Sequence, residues 1–233
     1  MKKIIYSMLI MAAVAGCKKN ADVSLSPVAS LNFVNASVNV GTAKAVFTGV
    51  GGTNFYSAAT AVAYGANTVY GVTANISVPM TVVNYADTTK AIASANLNLT
   101  NAGIYSLFLA GQSNAVDTIM VKENLPTYTD SVCGVRFINL SYNSNPITIT
   151  LSTSTTVEEF SGLSYKNYSA FKSYPSLAAT PNYTFQVKDA TTKAVLGTYA
   201  FTPYRFFNVT LAWIGQTGAT GTNAPKVIRV NNY

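Results

Sequence analysis

Eight carboxylates, two thiols and no imidazole form the reactive inventory of this 233-residue chain. Without histidine, Ser-His-Asp and Cys-His nucleophilic sites are excluded, as are zinc centres that rely on imidazole. Neither a G-x-x-x-x-G-K-S/T phosphate loop nor a strand-to-helix G-x-G-x-x-G turn is present. The acids are Asp22, Asp87, Asp117, Glu123, Asp130, Glu158, Glu159 and Asp189, mostly isolated in turn-like surroundings, and only Glu158-Glu159 are adjacent. A carboxylate pair can run glycoside hydrolysis, but neighbours on a strand point to opposite faces. The pair therefore reads as solvated charge unless a loop turns both groups toward one sugar. No catalytic residue, cofactor or metal site is expected, and the inventory argues against an enzyme.

Of the thiols, Cys17 has the more telling surroundings. It follows Val14-Ala15-Gly16, behind a basic Met1-Lys2-Lys3 start and the apolar run Ile4 to Ala15. That layout is a secretory segment, too short for a spanning helix of roughly 20 residues. Its end resembles a lipobox, in which the cysteine thiol receives diacylglycerol and becomes the new N-terminus. The expectation is a signal peptide over residues 1–16, a lipidated tether over 17–26 and a membrane contact through the lipid on Cys17. Lys18 stands where aspartate would resemble an inner-membrane retention signal, so the expected address is the outer membrane. Lys18-Lys19-Asn20 lacks the acidic character of a surface-export tether, and the periplasmic and outer faces both stay open. Cys133 is then left without a disulfide partner and reads as a small buried apolar group.

Removing sixteen of the 233 residues leaves 217, enough for one large or two ordinary domains. The chain is 10% charged and 49% hydrophobic, with 15 Tyr and 11 Phe, a composition of strands and turns. Its net charge of +7 includes Lys2 and Lys3, and the remaining cations are scattered apart from Lys18-Lys19. Nucleic-acid binding needs a basic stripe, so no nucleic-acid partner is expected.

The elements that would position a site form one unit written twice. Leu31-Asn32-Phe33-Val34-Asn35-Ala36-Ser37 returns as Val135-Arg136-Phe137-Ile138-Asn139-Leu140-Ser141. Thr88-Thr89-Lys90-Ala91-Ile92 returns as Thr191-Thr192-Lys193-Ala194-Val195, and Leu107 to Gln112 returns as Leu211 to Gln216. The order and spacing match, so two homologous domains are expected over residues 27–122 and 132–233, joined by a polar linker over 123–131. Alternation with period two marks short strands, with hairpin turns at 86–90 and 189–193. The fold class expected is all-β: two tandem immunoglobulin-like antiparallel β-sandwiches, with closed barrels as the other architecture that shares the pattern.

The F-V-N-A-S strand at Phe33 to Ser37, the V-x-Y-G at Val62 to Gly65 and the Y-S-L-F-L-A-G at Tyr105 to Gly111 resemble the DUF4397 family of envelope domains, common in Bacteroidota-type lipoproteins. The second unit carries the pattern more loosely, with Lys166 where the first has Gly65. The resemblance implies a β-sandwich and an envelope address, and brings no catalytic residues with it.

Two functional readings follow. One is a non-catalytic binding module for a glycan or an envelope protein partner, using aromatic rings with flat apolar faces and polar tips. Its candidates are Phe55-Tyr56, Tyr174 and above all Tyr64, Tyr70, Tyr165 and Tyr168. Tyrosine also has a high strand propensity, so packing in a core or on a sheet competes with ligand contact at each of them. The other reading is a structural or accessory spacer subunit of an envelope complex. Trp213, at the place of Leu109 in the repeat, reads as core.

Overall fold

The computed structural model describes residues 26–49 and 56–232. Cys17, the signal segment and Phe55 lie outside the described residues. The first unit contributes β1 (Val28–Asn35), β2 (Ala43–Phe47), β3 (Ala61–Val62), β4 (Asn67–Thr73), β5 (Ser77–Asn84), β6 (Ala91–Asn98), β7 (Ile104–Gln112) and β8 (Ala115–Lys122). The second repeats the order as β9 (Val132–Asn139), β10 (Ile147–Leu151), β11 (Ser154–Leu163), β12 (Lys172–Pro175), β13 (Tyr183–Asp189), β14 (Val195–Phe201), β15 (Asn208–Ile214) and β16 (Lys226–Asn231). The protein is all-β, and each unit is a sandwich. Sheets β4-β1-β7-β8 and β3-β2-β5-β6 build the first, and β12-β9-β15-β16 and β11-β10-β13-β14 build the second.

The alternating residues read from the sequence face each other across these sandwiches. Leu31 and Phe33 meet Ala45, Met80, Val82, Leu107 and Leu109 in the first core. Val135, Phe137, Ile149, Phe185, Val187, Leu211 and Trp213 fill the second. Trp213 is 2% exposed, and Gly197 permits its close approach, since a Cβ there would stand 2.9 Å from the ring. Cys133 is fully buried, and burial pushes its thiol up to about 11. The hairpin turns close on aspartates: Asp87 accepts the Thr89 N–H at 3.0 Å, and Asp189 accepts those of Thr191 and Thr192 at 2.9 and 2.8 Å.

One contact in each unit departs from antiparallel pairing. β1 runs parallel to β7, with Phe33 opposite Leu107, and β9 runs parallel to β15, with Phe137 opposite Leu211. A parallel pair needs a long crossover rather than a hairpin. The strands between β1 and β7 supply it, because the chain passes to the opposite sheet at β2 before it returns.

The inner sheets of the two units also pack on each other. Val34, Ala36, Phe108, Ala110 and Val121 of the first meet Ile138, Leu140, Ala212, Ile214 and Val230 of the second in a third apolar layer. By the strand registers these are the same positions of the repeat, so the interface is isologous, as at a two-fold axis. The polar stretch between the units is pinned to it. The Glu123 carboxylate is wholly buried against Arg136, the Pro126 carbonyl accepts from Asn208 Nδ2 at 2.9 Å, and the Tyr128 hydroxyl fills the space a Cβ on Gly134 would need.

Candidate functional site

The repeated Asn of the F-V/I-N-x-S strands is a latch. Asn35 is fully buried, and its Nδ2 donates to the carbonyls of Gly41 at 2.9 Å and Val62 at 3.0 Å. Asn139 donates to Leu163 O and Ser144 Oγ, each at 3.0 Å. Their own carbonyls accept the N–H of Gly65 and of Lys166, both at 2.7 Å, which fixes the two tyrosine turns. Gly65 and Lys166 share the left-handed backbone, at φ +81° and +70°. The turn is therefore the same in both units, and Lys166 adopts a conformation that favours glycine.

These turns reach across the joint reciprocally. Gly65 lies against Ile214 and Ile228, and Lys226 Nζ sits 5.1 Å above the Tyr64 ring. In the mirror position Lys166 pairs with Asp117 and lies 5.2 Å from the Tyr165 ring. Tyr64 and Tyr165 are half-buried, and burial pushes both hydroxyls up to about 12. Tyr70 is also half-buried, edge-on to Phe47 at 5.0 Å against the first core. Tyr174 lies in the second core, its hydroxyl donating to Glu159 at 2.8 Å. Of the four main candidates, Tyr168 presents the most open ring, at 47% exposure.

Tyr168 borders a cleft of about 360 Å³ at the joint, lined also by Phe171, Arg136, Lys122, Asn124 and Pro126. Arg136 forms its floor. The guanidinium lies 5.3 Å from the Tyr168 ring centroid and 4.7 Å from that of Phe171. Arg136 Nε donates to Thr210 Oγ1 at 2.8 Å and Nη2 to Glu123 Oε1 at 2.5 Å. Thr210 donates in turn to Asn232 Oδ1 at 2.5 Å, and Asn232 Nδ2 reaches Ser106 Oγ at 3.4 Å in the first unit. Hydrogen bonds and ring stacking thus hold the cation rigidly, as a buried charge requires.

The twin position in the first unit lacks the stack. Asn32 stands at the place of Arg136, accepts from Asn67 Nδ2 at 2.9 Å and donates to Asn231 O at 3.3 Å. Asn67 is the counterpart of Tyr168 by strand register. The aromatic–arginine wall of the cleft therefore belongs to one arm of the joint. It offers aromatic faces beside the flexible amine of Lys122 and the amide of Asn124, which suits an apolar ring edged with hydroxyls. The sequence reading singled out Tyr168 but not Arg136 or Phe171. The available signal was Arg136 itself, a cation inside an otherwise apolar strand where the first unit has Asn32.

Glu158 and Glu159 point apart, to Lys193 at 2.7 Å and to Lys172 with Tyr174 respectively. Among the described residues no group of three or more His, Cys, Asp or Glu is placed to hold a metal ion.

No protein-family model matches the chain, and no curated protein matches it. Solved structures match at low identity. One is the multi-modular glycogen-degrading pneumococcal virulence factor SpuA in a product complex, at 11% identity and TM-score 0.27, covering 82% of this chain. The match spans 21% of that protein's length. Another is a family 26 carbohydrate-binding module of Amy13K from Eubacterium rectale in complex with maltoheptaose, at 8% identity and TM-score 0.28, covering 85% of this chain and 100% of that one. A third is an adhesin candidate from Bacteroides ovatus, at 12% identity and TM-score 0.25, covering 91% of this chain and 98% of that one.

Proposed function

We propose that the protein is a lipid-anchored, non-catalytic binding module of the outer membrane, of the DUF4397 kind, and that it receives a glycan in the cleft at the joint. The observation that carries the ligand reading is the Tyr168–Arg136–Phe171 stack, which forms a rigid aromatic wall open to solvent on one arm and has no counterpart on the other. A sugar ring stacks its C–H face on such a wall and hydrogen-bonds at its edge to groups like Lys122 and Asn124. The anchor reading rests on the Val14-Ala15-Gly16-Cys17 sequence, and the outer-membrane address on Lys18.

The test is a glycan array probed with the mature protein, followed by titration of any hit against Tyr168→Ala. Because Tyr168 is half in solvent, the variant should keep its melting temperature within a few degrees and lose at least tenfold in affinity. Binding that survives in folded Tyr168→Ala sinks the cleft reading. Alkyne fatty-acid labelling of wild type against Cys17→Ala tests the anchor separately, and equal labelling refutes it. The second reading, a rigid spacer in an envelope complex, draws on the apolar layer that fuses the two sandwiches. A pull-down that captures one envelope protein with no glycan hit would favour it.

A further inference from the structure

The loop leading into the penultimate strand of each unit is built on one backbone and carries two different sets of side chains. Thr100-Asn101-Ala102-Gly103 precedes β7, and Tyr204-Arg205-Phe206-Phe207 precedes β15. The Ala102 N–H donates to Val28 O and the Phe206 N–H to Val132 O, both at 2.8 Å. The Gly103 N–H reaches Thr100 O at 3.0 Å and the Phe207 N–H reaches Tyr204 O at 3.3 Å. Ala102 and Phe206 even share a left-handed φ, +57° and +67°. The first unit shows that this loop folds with small and polar residues. A phenylalanine in a backbone region that disfavours side chains serves something other than the loop's own geometry.

It does not serve the core either. Tyr204, Phe206 and Phe207 are 53%, 53% and 47% exposed, and Leu177 is 61% exposed. Leu177, Tyr204 and Arg205 line one shallow depression. Arg205 is exposed, and the Arg229 guanidinium lies 5.0 Å from the Tyr204 ring. Single exposed apolar side chains are ordinary, but Leu177, Tyr204 and Phe207 lie together beside two arginines, with Phe206 next to them in the loop.

Its place in the molecule points to the occupant. Ser106, near the start of β7, accepts from Asn232 Nδ2, and the Asn232 N–H donates to Asn208 O at the start of β15. Both strand starts, and the loops ahead of them, therefore lie at one end of the protein. Val28, which opens β1, is hydrogen-bonded at this same end to Asn101 and Ala102. Cys17 lies nine residues before Ser26 in the sequence. A fully extended chain of that length spans at most about 30 Å.

We infer that Tyr204, Phe206, Phe207 and Leu177 dock into the headgroup and upper acyl region of the bilayer, with Arg205 and Arg229 on anionic headgroups. The inference rests on the lipid-anchor reading. Aromatic rings and arginines suit the membrane interface, cations beside a membrane gain from its anionic lipids, and a short tether raises the effective concentration of a second, weak contact. The docked end sets the tyrosine turns at the far end, away from the bilayer.

The test uses the full acylated chain reconstituted in vesicles of phosphatidylethanolamine and phosphatidylglycerol with brominated acyl chains. Phe206→Trp reports insertion of the loop. Tyr85→Trp is the control, an exposed site whose N–H bonds to Thr42 near the opposite, Asn35 end. Buried Trp213 gives a constant background. Bromine should quench Phe206→Trp at least twofold more than Tyr85→Trp; equal quenching in vesicle-bound protein overturns the inference. So does an emission shift of Phe206→Trp on adding soluble oligosaccharides without vesicles, which reads the loop as a sugar platform. If mass spectrometry finds no acyl group on Cys17, the anchor reading alone fails. The loop is then judged by sedimenting the full Cys17→Ala chain with the same vesicles. Binding that is lost on adding Phe206→Ser and Phe207→Ser supports it, and binding that is absent or unchanged overturns it.

Discussion

Replacing Phe108 with alanine tests whether the two sandwiches unfold as one body. Phe108 is fully buried in the layer shared by both units. A phenylalanine buries roughly 150–250 Å². At about 25 cal/mol per Å², losing most of that area costs roughly 3–5 kcal/mol, the range seen for such truncations. The layer cannot collapse to recover much of it, because it also contains Ala36, Ala110 and Ala212, which have no side-chain length to fill the void. Trp213 supplies the assay. It is the only tryptophan and lies in the core of the second unit, so its fluorescence reports unfolding of a unit that Phe108 does not belong to. With a urea slope of about 2 kcal/mol per M, the Trp213 midpoint should fall by about 1.5–2.5 M in Phe108→Ala. If the midpoint stays at the wild-type value while circular dichroism shows an earlier loss of strand signal, the units unfold independently and the coupling argument is wrong.

Asn139→Ala should destabilise the protein by about 1–3 kcal/mol, because the Leu163 carbonyl loses its buried donor, and urea titration reads this directly. Glu123→Ala should cost about 3–5 kcal/mol by leaving the Arg136 cation buried without its carboxylate, while the double change Arg136→Met with Glu123→Leu should cost less than the single one; melting temperatures decide the order. Acid should loosen the second hairpin. The N–H of Thr192, with Asn145 and the N–H of Thr191, holds the Asp189 carboxyl down at about 2, below its ordinary 3.8. A depressed folded-state value means that this stabilisation is complete above the unfolded value and fades as pH falls through the folded one. The gap in urea midpoint between wild type and Asp189→Asn should therefore narrow between about pH 4 and about pH 2, and a gap constant over that window would contradict the assignment.

The sandwich fold was legible because Leu31, Phe33, Val135 and Phe137 alternate and recur in register, and because Asp87 and Asp189 sit where hairpins close. The third apolar layer was less so. Val34, Ile138, Phe108 and Ala212 lie on the reverse face of the same strands. A strand apolar on both faces reads as a continuous run, and nothing local says what covers the second face. The Tyr168 cleft shares that difficulty. Its floor needs Glu123 from the join, Arg136 from β9 and Asn232 from the C-terminal end to meet, and that meeting is decided by how two sheets pack rather than by any local pattern. The Tyr204 to Phe207 loop was within reach, since aligning the repeats sets it against Thr100 to Gly103.

The isologous joint has a consequence for chemical diversity. Two identical units meeting about a two-fold axis must use one residue for both halves of every contact, so any change appears twice and has to suit both places. Written in one chain, the same contact has two independent letters. Leu140 stands where its twin is Ala36, Phe108 where its twin is Ala212, Arg136 where its twin is Asn32, and Tyr204 to Phe207 where its twins are Thr100 to Gly103. Broken symmetry lets one copy stay a plain scaffold while the other specialises.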